Sequence, residues 1–178
     1  MKTIKNTLTL ILISSFIACG GGGEKSSSDT KAKEESTDKK EIVTEEVAEE
    51  IEKEVIEITL SATGEAMNEI AYEPKSLSVP ANSRVKLTFN NKSSAEGMLH
   101  NFVLVELGSG QEIASAGIKA GKENEFIPED DRIFANTTMT QMGETVTIEF
   151  DAPAKGSYHY ICTYPGHYPN MIGRFNVE

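Results

Sequence analysis

The sequence predicts an all-β domain, an antiparallel two-layer sandwich carrying one short helix, preceded by a segment that has no core of its own. Three observations carry that prediction. Apolar and polar residues alternate in six short runs from Ile56 onward, and turn-forming residues separate those runs. Residues 20–57, by contrast, hold thirteen acids against six bases and no aromatic side chain. Such a composition cannot bury enough apolar surface to fold alone.

The chain opens with Lys2 and Lys5, followed by a mostly apolar run from Leu8 to Ile17. This is the pattern of a signal peptide over residues 1–18, too short to span a bilayer as a stable anchor. Its end, Phe16-Ile17-Ala18-Cys19, resembles the lipobox of bacterial lipoproteins. The resemblance implies that Cys19 is lipidated and becomes the first residue of the mature chain; the alternative is an ordinary signal peptide cleaved elsewhere. Acyl chains contribute about 0.8 kcal/mol per buried methylene, so several on one residue hold firmly. The expected location is the bacterial cell envelope, anchored by lipid to a membrane on its periplasmic or extracellular face. Gly20 stands where an aspartate marks inner-membrane retention in some bacteria, which favours an outer membrane. Residues 19–55 then read as an acidic tether. Within it Ile42, Val43, Val47, Ile51 and Val55 recur at helical spacing, so a short helix is expected near residues 45–54.

The folded domain is expected over residues 56–178. Ile56, Ile58 and Leu60 alternate with polar neighbours, as do Val85, Leu87 and Phe89. His100, Phe102 and Leu104 share one strand face, and Val146, Ile148 and Phe150 share another. Tyr158, Tyr160 and Cys162 alternate with His159 and Ile161, and Phe175 with Val177 closes the chain. Asn90-Asn91, Gly108-Ser109-Gly110 and the segment 153–156 supply the turns. Residues 111–119 suit a short helix ended by Gly121. A segment of this length suffices for one two-layer core.

Composition narrows the function. A net charge of −11 leaves nothing to neutralise a row of phosphates, so nucleic acid is not an expected partner. Two cysteines exclude a disulfide-dense scaffold and any four-cysteine metal site. If Cys19 carries lipid, Cys162 has no disulfide partner in an oxidising compartment, and is expected to be coordinated or buried.

The informative segment is Cys162-Thr163-Tyr164-Pro165-Gly166-His167-Tyr168-Pro169-Asn170-Met171. It brings a thiolate, an imidazole and a thioether within ten residues. Pro165-Gly166 turns the chain so that His167 returns toward Cys162, and Pro169 stiffens a second turn before Met171. A mononuclear site needs a further ligand from another element, and His100 supplies it. Taken alone, His100 reads as an interior histidine and Met171 as core filler; together with Cys162 and His167 they read as ligands. A Cys162–His167 catalytic dyad is disfavoured, because no oxyanion donor is evident. Two imidazoles and a thiolate in a plane, with methionine axial, form the arrangement of an electron-transfer copper centre.

Here the chain resembles the cupredoxins, in their azurin and auracyanin branch, over roughly residues 56–178. The resemblance is carried by Leu99-His100-Asn101-Phe102-Val103-Leu104 and by Cys162-Thr163-Tyr164-Pro165-Gly166-His167 with Met171 and Gly173. It implies a Greek-key β-sandwich holding one type 1 copper ion, with His100, Cys162 and His167 equatorial and Met171 axial. It also implies that the Asn101 side chain ties the two ligand loops near Thr163. The amides of Asn101 and Tyr164 would donate to the cysteine sulfur, which raises the reduction potential.

The function implied is that of a blue copper protein, a one-electron carrier cycling Cu(I) and Cu(II), tethered to a membrane. By the family pattern the edge of His167 reaches the surface within an apolar patch of Met98, Tyr164, Pro165, Gly166, Tyr168 and Pro169. Expected partners are redox proteins such as a c-type cytochrome or an oxidase, met through small transient contacts. The alternative is a copper-sequestering or copper-delivering lipoprotein. A copper oxidase or nitrite reductase needs a second copper centre, and only His159 is left over, so neither an enzyme nor a small-molecule substrate is expected.

Overall fold

The computed structural model describes residues 53–178. The signal peptide, Cys19 and the tether through Glu52 lie outside the described residues, as does nearly all of the helix expected near residues 45–54. Val55, assigned above to that helical spacing, instead opens a strand.

Nine strands among the described residues form two packed sheets. The first holds β1 (Val55–Thr63), β2 (Ala71–Glu73), β4 (Arg84–Asn91) and β7 (Thr145–Asp151), in the order β2-β1-β4-β7. The second holds β3 (Ser76–Val79), β5 (Val103–Glu106), β6 (Ile133–Asn136), β8 (Gly156–Ile161) and β9 (Ile172–Val177), in the order β3-β9-β8-β5-β6. Alternation decides which side chains meet between the sheets. Leu60, Val85, Leu87 and Phe89 from the first face Leu104, Tyr160 and Phe175 from the second, with Phe102 just ahead of β5, all fully buried in one cluster.

The sandwich departs from the antiparallel expectation at two places, since β1 pairs with β4 and β3 with β9 in parallel. The cause lies at residues 71–79. There β2 runs into β3 around Pro74 and passes from the first sheet to the second. That switch returns the chain so that β1 and β4 point the same way. Neither β2, β3 nor β6 was anticipated, each being four residues or fewer.

The helix α1 (Gly110–Ala120) extends the expected segment by one residue at each end. Glu112 in its first turn and Lys119 in its last suit the helix dipole. Its Ile113 and Ala114 cover Val103, Val105 and Ile161 on the outer face of the second sheet, a second and smaller core. Gly117 is required by packing. A Cβ there would lie 2.3 Å from the Phe126 carbonyl oxygen and 3.3 Å from the Thr163 side chain. The helix and the chain after it thus press against one end of β8.

Candidate metal centre

That end of the sandwich is where the chemistry gathers. Cys162 follows the last residue of β8, and Met171 precedes the first of β9. The Cys162 amide donates to the Met171 carbonyl at 3.2 Å, so the two hold the neck of one loop. Inside the loop the His167 amide donates to the Tyr164 carbonyl at 3.1 Å, across Pro165 and Gly166. Gly166 has φ 86°, the left-handed value a Pro-Gly turn of this kind needs. The Met171 amide then donates to the His167 carbonyl at 2.9 Å, closing the second turn. His100 comes from the other side. It precedes β5 and forms an isolated bridge with Thr140, exchanging backbone bonds of 3.2 and 2.7 Å.

The nitrogen and sulfur donors of His100, Cys162 and His167 lie within 4.8 Å of one another. Cys162 Sγ is 3.5 Å from His167 Nδ1, and the two imidazole centroids are 4.8 Å apart. His100, Cys162 and Met171 are 0% exposed and His167 is 1% exposed. Neither ring nitrogen of His100 has a hydrogen-bond partner among the described residues. A buried polar ring without partners is costly, so it marks a position shaped for something else.

Burial lowers both imidazoles to about 4, and the neighbouring His167 adds to the effect on His100. Both rings are therefore neutral at physiological pH, with lone pairs free to bind. Burial pushes the Cys162 thiol up to about 11, while the backbone amides of Asn101 and Tyr164, donating to its sulfur, oppose that rise. Those donors favour the thiolate once a cation takes the place of the proton. Two neutral imidazoles, that of His100 with both nitrogens unpartnered among the described residues, beside a buried sulfur fit a soft cation such as copper better than a hard one that prefers carboxylates.

Asn101 joins the two sides. It is 0% exposed, and its Oδ1 accepts from the Thr163 amide at 3.0 Å while its Nδ2 donates to Thr163 Oγ1 at 2.9 Å. Two further residues hold this end together and were missed from the sequence. Asn91, read only as a turn signal, donates from Nδ2 to the carbonyls of Met98 at 2.7 Å and Thr140 at 3.0 Å. Tyr72 donates its hydroxyl to the Asn101 carbonyl at 2.5 Å. A side chain bonding to a remote carbonyl leaves no local pattern to detect. His159 lies elsewhere, opposite Val105 and Arg174 within the second sheet.

The expected surface edge of His167 is covered. Pro169 and Gly166 are exposed, and Met98, Tyr164, Pro165 and Tyr168 are half-buried. The loop between β1 and β2 reaches over this patch. The Met67 methyl would lie 3.1 Å from a Cβ on Gly166, and Asn170 Nδ2 donates to the Met67 carbonyl at 2.9 Å. Tyr164 packs beside the imidazole, with centroids 4.8 Å apart.

Comparison with known proteins agrees with this chemistry. The family model of copper-binding proteins of the plastocyanin/azurin family matches residues 58–178. Auracyanin-A of Chloroflexus aurantiacus is 38% identical over 126 residues, spanning 69% of this chain and 75% of that one. Azurin iso-2 of Methylomonas sp. (strain J) is 33% identical over 127 residues, spanning 67% of this chain and 96% of that one. The solved structure of auracyanin A, a "blue" copper protein from Chloroflexus aurantiacus, superposes with a TM-score of 0.63 at 37% identity, covering 70% of this chain and 99% of that one. The chain is a cupredoxin, a member of the plastocyanin/azurin family of copper-binding proteins.

Proposed function

We propose that the protein is a membrane-tethered one-electron carrier whose copper is held by His100, Cys162 and His167, with Met171 as a fourth donor. The observation that carries this reading is the cluster of three buried donors within 4.8 Å, two of its nitrogens lacking any other partner. Bound copper supplies a one-electron couple between Cu(I) and Cu(II). The chain's own contribution is to hold the donors still and dry. Backbone bonds close both turns of the ligand loop, and the Asn101–Thr163 pair fixes the two sides relative to each other. Little rearrangement is then needed between oxidation states. The Asn101 and Tyr164 amides favour the reduced site by spreading charge from the Cys162 sulfur. Complete burial of the donors opposes quick metal release, which weighs against delivery.

In this reading the half-exposed rim of Met98, Tyr164, Pro165 and Tyr168 meets a c-type cytochrome or an oxidase, and a net charge of −11 steers a basic partner. Cys19 carries the lipid that anchors the chain in the bacterial envelope, at an outer membrane.

Adding Cu(II) to the full chain is expected to give an intense visible band from thiolate-to-copper charge transfer. Retention of that band in Cys162→Ser would overturn the site. Stopped-flow mixing with reduced cytochrome c is expected to bleach it rapidly; a band that persists would favour a store. Cys19→Ser is expected to move the protein from the membrane to the soluble fraction, and unchanged fractionation would refute lipidation.

A further inference from the structure

We propose that the Tyr72 hydroxyl is a positioning group that raises the reduction potential of the site by fixing the Asn101 backbone beside Cys162. The proposal rests on the copper reading above and adds a residue outside both ligand motifs. Tyr72 lies on β2 and is 1% exposed. Its ring packs edge-on against Phe89 and Tyr160, with centroids 6.2 and 5.1 Å away. A phenylalanine would fill that space equally well. The hydroxyl is therefore surplus to packing, and burying it is unfavourable unless it finds a partner. Its partner is the carbonyl of Asn101, 29 residues further along the chain.

Asn101 is held at every polar group. Its amide donates to the Cys162 sulfur, its side chain exchanges bonds with Thr163, and its carbonyl is capped by Tyr72. The cap acts on the site in two ways, both of one sign. The phenolic proton offsets the negative end of a carbonyl buried next to a ligand; without it, that charge favours the more positive, oxidised site. The cap also limits how far Asn101 can move, which keeps its amide aimed at the sulfur. A looser amide likewise favours the oxidised site.

Tyr160 provides the control. It is also 0% exposed, and its hydroxyl donates at 2.7 Å to the carbonyl of Pro74, which neighbours no ligand. The test compares full-length Tyr72→Phe and Tyr160→Phe. Reduction potentials are read by protein-film voltammetry, and hydrogen exchange at the Asn101 and Thr163 amides is read by NMR on the metal-free protein. Tyr72→Phe is expected to keep one copper and the visible band, to lower the potential, and to speed Asn101 exchange about tenfold. Tyr160→Phe is expected to leave both readings unchanged. Replacing Tyr72 by 3-fluorotyrosine, a stronger donor, is expected to raise the potential. An unaltered potential in Tyr72→Phe, or an equal fall in Tyr160→Phe, overturns the proposal. If the wild-type chain gives no thiolate-to-copper band, the copper reading fails, and unchanged exchange in the metal-free Tyr72→Phe protein overturns the positioning role by itself.

Discussion

Asn101 and Thr163 exchange two hydrogen bonds across 62 residues of chain, Thr163 amide to Oδ1 at 3.0 Å and Nδ2 to Thr163 Oγ1 at 2.9 Å. Each residue directly follows a buried donor, His100 on one side and Cys162 on the other. The pair therefore sets the separation between histidine and cysteine before any metal arrives.

Asn101→Leu removes both bonds and strands the Thr163 amide in the interior. A buried donor without a partner costs about 1–3 kcal/mol, so a loss of about 3 kcal/mol is expected for the pair in denaturant unfolding of the metal-free protein. Copper should still bind, but with a lower reduction potential. Unchanged stability would show that the amide side chain carries no strain between the two sides.

Met171→Leu is close to volume-conserving, and such swaps usually cost less than about 1.5 kcal/mol. Copper stoichiometry is expected to stay at one per chain. In the reading proposed above, a thioether donor that stabilises the oxidised ion is then gone, so the potential is expected to rise. Voltammetry decides it, and complete loss of copper would mean that Met171 holds the ion rather than tunes it.

Acid should destabilise the metal-free protein through its two buried imidazoles. Both are held at about 4 by burial, against an ordinary value of 6.5. Between those values the unfolded chain binds more protons than the folded one, so stability falls as pH falls. Their contribution is complete above pH 6.5 and drains between 6.5 and 4. Thermal melts of the metal-free protein should show that slope, and His100→Gln with His167→Gln should flatten it. Protons compete for the same nitrogens, so copper retention should weaken over the same side of the scale.

Gly173 has no room for a side chain. A Cβ there would meet the Tyr160 ring at 2.0 and 2.2 Å and its hydroxyl at 2.3 Å. Overpacking of a tight core costs about 1–3 kcal/mol, and Gly173→Ala is expected at the upper end because a ring held in the core must shift. Gly156→Ala, with its nearest neighbour at 3.7 Å, should be nearly neutral. Equal melting temperatures for the two variants would refute this account.

Much of the site was legible because its spacing is local. Cys162, His167 and Met171 occupy successive turns of one loop, and Pro165-Gly166 announces the first of those turns in the sequence. Strands with long alternation, such as Val85-Leu87-Phe89, declared themselves in the same way. What escaped was whatever depends on partners far along the chain. The strand that changes sheets at Pro74 offers only Tyr72, Leu77 and Val79 as apolar markers, too few to show a period. Asn91 and Tyr72 act through single bonds to remote carbonyls, and no composition rule distinguishes them from other asparagines and tyrosines. The contacts made to Gly166 and Asn170 likewise come from a loop roughly a hundred residues earlier, whose Met67 has no periodic context.

The direction of β1 has a mechanical consequence. The strand enters at Val55, where Lys53 pairs with Asp151 at 2.9 Å, and leaves at Thr63 toward the ligand loops. It lies parallel to β4 through eight residue pairs, Val55↔Arg84 to Ala62↔Asn91. In the tethered reading proposed above, a pull on residue 53 while a docked protein grips the opposite end runs along the strand axis. The evenly spaced bonds of a parallel ladder share that load in shear instead of parting one at a time, and the force enters at the end remote from the donors.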